Sequence, residues 1–180
     1  MSSPQPPLVA LRIPGGWSVV INGMLELEPA ELEANDPRVR MLSADMLHVR
    51  QPATRLAIDV GWRVAERAFV GAVIVDDEFA TPLVRHVAPS LREIVAWIEA
   101  TLLAPPPIPT ERLLARLEDY EAEIRGGAAI ELAARGEVGA LGAVKDAFMR
   151  ERDPAAIDQL HRAQRWLVQE NERRKRSGGV

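Results

Sequence analysis

Residues 54–75 read TRLAIDVGWRVAERAFVGAVIV, two strand patterns in succession with a short polar turn between them. Leu56, Ile58, Val60, Trp62 and Val64 alternate with Arg55, Ala57, Asp59, Gly61 and Arg63, the period-2 pattern of a strand with one dry face. Residues 68–75 are apolar without interruption, so the second strand needs cover on both faces. The rest of the chain must supply that cover.

The means to do so are bounded by length and composition. A chain of 180 residues holds one good core, or one core with an appendage, and buries about 70% of its unfolded surface. Cysteine is absent, which excludes disulfides, thiol catalysis and thiolate-ligated metals, and fits a reducing compartment. The first sixteen residues show neither a basic start nor a sustained apolar core, and the longest apolar run is far short of the roughly 20 residues of a membrane span. A cytoplasmic location without membrane contact is expected. Net charge is −4 and resides in residues 1–104, which hold 13 acidic and 9 basic side chains, whereas residues 105–180 hold 13 of each. No global attraction to nucleic acid follows.

Taken in order, residues 1–8 form a proline-rich tail, and structure is expected from residue 9. Trp17, Val19 and Ile21 mark a strand, and Asn22-Gly23 suits the positive φ of a type I′ hairpin, with residues 24–28 returning. One long strand with a glycine bulge at Gly23 is the competing reading. Residues 46–50 and 79–87 complete the strands, the last at an edge because Pro82 lacks a ladder donor. Ser90-Leu91-Arg92-Glu93 fits a capping box, followed by a helix over residues 91–103 whose apolar stripe covers one sheet face. Residues 105–109 are a proline-rich spacer, and residues 110–180 read as a small, all-helical subdomain. Within it, one helix spans residues 110–125 until Gly126-Gly127 stops it, and Asp153-Pro154 caps the last. The fold class is α+β: an antiparallel sheet of five or six strands over residues 9–104 with one covering helix, then the helical part.

The chemistry-bearing motifs are sparse. Gly136, Gly139 and Gly142 lack the lysine and hydroxyl residue of a phosphate loop and read as helix breaks or a close helix crossing. Asp59, Asp76, Asp77 and Glu78 could offer oxygen ligands to a divalent metal, but one lies mid-strand and three form a solvated turn. A triad would require folding to unite a serine, His48 or His86, and Asp59, without a nucleophile elbow. The basic run at 173–176 complements the end of its helix, and no aromatic residues interleave with it. Glu26, Glu28, Glu31, Glu33 and Asp36 follow one another with no basic residue among them and form either a solvated face or a phosphate-like surface for a basic partner.

Residues 17–22 (WSVVIN), Leu27-Glu28-Pro29, Asp45-Met46-Leu47, residues 56–62 (LAIDVGW), and Pro82-Leu83 before a serine-started helix resemble a group of small bacterial α+β proteins encoded near polymorphic-toxin or secretion loci. The resemblance covers roughly residues 10–103 and implies an immunity protein. The function expected is therefore non-enzymatic protein binding, an immunity or antitoxin-like protein that occludes a cognate toxin. The contacts expected are Glu26, Glu28, Glu31, Glu33 and Asp36, together with the edge carrying Phe79 and His86. No cofactor, metal or nucleic acid is called for, and a homo-oligomer is compatible. An adaptor or chaperone for a secreted effector, working through the helical part, is the alternative. A metal-dependent hydrolase, needing Asp59 to meet residues 76–78, is the second.

Overall fold

The computed structural model describes residues 6–29, 32 and 36–177. The chain is α+β and divides into two compact units, Met1–Pro107 and Ile108–Val180.

The first unit is built on a five-stranded antiparallel sheet: β1 (Ser18–Asn22), β2 (Leu47–Gln51), β3 (Leu56–Arg63), β4 (Ala68–Val75) and β5 (Val84–Ala88), adjacent in chain order. The central ladder runs from Leu56 opposite Val75 to Arg63 opposite Ala68. Residues paired directly across strands share a face, so Leu56, Ile58, Val60 and Trp62 lie together on one side, and all are buried. On that side Trp62 meets Phe69 edge-on with ring centroids 5.0 Å apart. The helix α1 (Leu91–Leu103) packs there on β4 and β5, burying Ile94, Ile98 and Leu102. A Cβ at Gly71 would stand 2.2 Å from the Trp97 ring, so only glycine lets the helix lie this close. On the opposite side Ala68, Val70 and Ile74 are also buried, the double cover that an unbroken apolar strand demands. Part of that cover is the backbone of Ala44, which would be 1.7 Å from a Cβ at Gly61.

Three turns shape the sheet. A short 3-10 segment at Pro52–Thr54 and a left-handed Arg55 join β2 to β3. Residues 64–67 join β3 to β4, with Arg67 left-handed. After β4, Asp76 and Asp77 both take positive φ, and the Glu78 N–H donates to the Val75 carbonyl at 3.1 Å, a turn whose backbone aspartate tolerates better than most residues.

Two strand expectations need correction. The chain does not reverse at Asn22-Gly23. Gly23 is not left-handed; its N–H donates to the Met46 carbonyl at 2.6 Å, and residues 24–26 bond residues 7–9 instead. Met24, Leu25 and Leu27 are buried, so the core claims a segment that local turn chemistry would have made a return strand. The ladder irregularity falls between Val19 and Ile21, not at Gly23. The last strand begins at Val84, later than residue 79, because the turn after β4 carries the chain past Pro82 before pairing resumes.

The second unit contains α2 (Thr110–Arg116), α3 (Ala122–Ala134), α4 (Leu141–Arg150) and α5 (Pro154–Ser177), with α5 packing on α3 and α4. Leu113, Leu117, Ile124, Leu132, Val144, Leu160 and Leu167 fill its core. Gly126-Gly127 does not stop a helix. The break comes at residues 117–121, and α3 runs through both glycines because Gly126 is where α5 approaches: a Cβ there would lie 1.8 Å from the Gln159 side-chain oxygen. Gly136, at φ +66°, ends α3 instead. Asp153 caps α5 as its sequence predicts, accepting from the Ala155 and Ala156 N–H groups at 2.9 and 3.0 Å.

Glu151, its side chain 2% exposed, ties this unit together through two bonds from Arg125 at 2.6 and 2.7 Å and two backbone N–H groups. The Arg125 guanidinium holds its pKa down at about 2, against 4.5 ordinarily. A carboxylate depressed in the folded state stabilises above its unfolded pKa, and the contribution disappears as pH falls from about 4.5 through about 2. Glu151→Gln should cost about 1–3 kcal/mol at pH 7 and flatten the acid limb of stability over that window, measured by urea unfolding. An unchanged acid limb would mean that the pair contributes nothing.

Candidate functional site

The face of the sheet opposite α1 carries a row of residues in register across all five strands: Ile21, His48, Asp59, Ala72 and Arg85. At its centre His48 is buried and its Nδ1 lies 3.1 Å from the Asp59 carboxylate. Its Nε2 accepts from the Arg50 Nε–H at 3.1 Å, and the Arg50 guanidinium continues to Asp77. Phe79 lies over the imidazole with ring centroids 6.2 Å apart. At the far end of the row Arg85 pairs with Glu66 at 2.6 Å.

Folding thus unites His48 with Asp59. A guanidinium N–H only donates, so Nε2 must accept, and the ring proton sits on Nδ1 facing Asp59. The nitrogen that would activate a serine is engaged by Arg50 instead, which leaves this histidine a positioned link in a chain of hydrogen bonds. The carboxylates near the turn each have their own cation or hydroxyl: Asp77 has Arg50, Asp76 has Arg55 at 3.9 Å, and Glu78 accepts from Thr81 at 2.9 Å. Among the described residues no three His, Asp or Glu side chains converge as a metal cluster would require.

The expected contact residues are placed as follows. Glu26 is exposed. Glu28 reaches the start of α1, where its Oε2 accepts from the Leu91 N–H at 3.0 Å and its Oε1 is buried without a partner. A carboxylate there complements the positive end of the helix, so Glu28 holds the fold together and is not free to meet a partner. Asp36 accepts from the Arg38 side chain at 2.6–3.1 Å and from its backbone N–H, which hold its pKa below the ordinary value. Glu31 and Glu33 lie outside the described residues. His86 stacks on Trp97 of α1 at 5.1 Å, on the covered face, while Phe79 is exposed in the turn after β4. Among the five described residues, His86 lies on the α1 side and Phe79 over His48 on the other, so these two do not share a surface.

The sequence marks β1 as a strand but not as an exposed edge. It is an edge strand whose five residues are all exposed, with Val19 at 48%, Val20 at 58% and Ile21 at 43%. Between Trp17 and Gly23 there is no charge and no proline, the usual protections of an edge. Its one irregularity is the bulge beside Val20. The signal was present in the sequence as an uncharged Ser18-Val19-Val20-Ile21-Asn22, but hairpin pairing at Gly23 would have hidden it. Ile21 ends the His48 row, whose inner members His48, Asp59 and Ala72 are buried or half-buried.

Long-range proton–nitrogen correlation spectra should show His48 as the Nδ1–H tautomer, with exchange between tautomers appearing only in Arg50→Ala. An Nε2–H ring in the unaltered chain would contradict the hydrogen-bond chain. Compared with protein families, curated proteins and solved structures, the chain matches none of them.

Proposed function

We propose that this chain is a non-enzymatic protein-binding module that takes its partner along β1. The observation carrying this reading is the uncharged, fully exposed edge strand, whose unpaired backbone and three β-branched side chains suit pairing with a strand of another protein. Each of Val19, Val20 and Ile21 has about half its side chain still open to water, and covering it is worth about 1 kcal/mol apiece. The Asp59–His48–Arg50–Asp77 chain, in which every member has a charged or hydrogen-bonded neighbour, supports binding better than catalysis, since it offers no free nucleophile. The most concrete form of this reading is an immunity-like protein that occludes a cognate toxin. Among the described residues of the acidic segment, Glu26 is exposed and available to steer a basic partner.

Tagged chain purified from its host should retain one stoichiometric partner, and Val20→Lys should weaken that complex at least about tenfold. The variant's own unfolding stability should stay within about 0.5 kcal/mol, as for other exposed sites. Retention of the partner by Val20→Lys would move the contact elsewhere, and purification of the chain alone would turn the search to substrates.

A further inference from the structure

The helical unit carries a second surface, independent of the sheet-edge reading. Between the C-terminal end of α3 and the last turns of α5 lies an open groove of about 580 Å³. One wall is Ala133, Ala134 and Gly136; the other is Trp166, 50% exposed, with Arg173 and Arg174. Trp166 and Arg173 are seven residues apart, two helical turns, and so lie on the same side of α5. The aromatic neighbour that the basic run lacks in sequence is supplied by helical spacing. Arg135 enters from α3, fixed by bonds to Glu131 and to the Ile108 carbonyl. One carboxylate in the groove, Glu170, is shared between Arg173 and Arg174, and Arg174 also donates to the Gly136 carbonyl at 2.8 Å. Three guanidiniums against two carboxylates, Glu131 and Glu170, leave the groove with one positive charge in excess.

The groove does not end there. A second hollow of about 760 Å³ shares Gln169 and Arg173 with the first and wraps round α5 to Val168, Glu172 and Arg176. A surface that runs on beyond one pocket suits an extended segment. Half-exposed tryptophan flanked by arginines is the composition of a protein-binding hot spot. Phosphate backbones fit less well, because Trp166 offers a single stacking platform. A lipid surface fits less well too, since the exposed large apolar side chains of α5, Trp166 and Val168, point to different sides of the helix and form no apolar face.

We propose that this α3–α5 groove is the docking site for a linear acidic peptide segment of a partner protein, with an apolar side chain seated against Trp166 and its carboxylates paired with Arg135, Arg173 and Arg174. The partner's segment is recognised by charge and by one anchor, so it needs no fold of its own.

A fluorescein-labelled peptide of glutamates with leucine at every fourth position, titrated into the 180-residue chain, should bind saturably and more weakly as salt rises. Trp166→Ala and Arg173→Glu should each weaken it about tenfold. Arg173 is exposed and its partner Glu170 keeps Arg174, so the second variant leaves the fold intact and decides the matter if Trp166→Ala unfolds by circular dichroism. Absence of saturable binding up to millimolar peptide overturns the proposal. So does equal binding by the variant that remains folded, or binding of phosphatidylserine vesicles or oligothymidylate without binding of the peptide.

Discussion

Burial of β3 and β4 on both faces is the constraint to which the rest of the first unit answers. Their ladder brings Leu56, Ile58, Val60 and Trp62 to the side where α1 lies, and Gly71 admits Trp97 close enough to seal it. The other side cannot be left bare, because Val70 and Ile74 point there, and the chain uses the backbone at Ala44 where Gly61 makes room. Between them on that side lie Ala57, Asp59, Ala72, Arg85 and the buried His48. Burying a polar ring in a sheet costs free energy unless both nitrogens are engaged, and Asp59 and Arg50 engage them. Asp77 closes the chain only because two left-handed aspartates turn the backbone after β4. Packing therefore decides where the polar network can exist.

Much of the fold is legible in the residues. Alternation over 56–63, the apolar run over 68–75, the serine cap of α1 and the Asp153 cap of α5 each carry their own local physics, and each is realised. Ser90 accepts from the Glu93 N–H at 3.2 Å, although the Glu93 carboxylate meets the Ser90 hydroxyl and not a backbone donor. The failures share one cause. Asn22-Gly23 and Gly126-Gly127 are read locally as a turn and a stop, but tertiary contacts use their missing or small side chains differently. The core takes Met24 and Leu25, and α5 takes the space beside Gly126. The His48–Asp59 contact could have been read. Strands joined at residues 52–55 place 48 opposite 59 by simple register, as they place Leu47 opposite Val60. Glu28 could not, because its contact with Leu91 spans sixty-three positions and depends on where the whole helix lies.

The two sheet edges differ in a way that bears on function. β5 follows a proline and carries Arg85, paired with Glu66, so its outer side is guarded. β1 has only its bulge. An uncharged edge rich in valine and isoleucine is an aggregation hazard for a free protein, and a partner strand removes the hazard while gaining the backbone bonds that the edge leaves open. On that account, exposure of β1 is tolerated because the strand is covered when the protein works.

Hydrogen exchange read by mass spectrometry, on the chain alone and on the complex it forms, tests this most directly. The amides of residues 17–23 should exchange rapidly in the free chain and become protected in the complex, with those of β3 and β4 slow in both. Protection confined to other segments, with residues 17–23 exchanging equally fast in both states, would contradict the claim that β1 is where the partner binds.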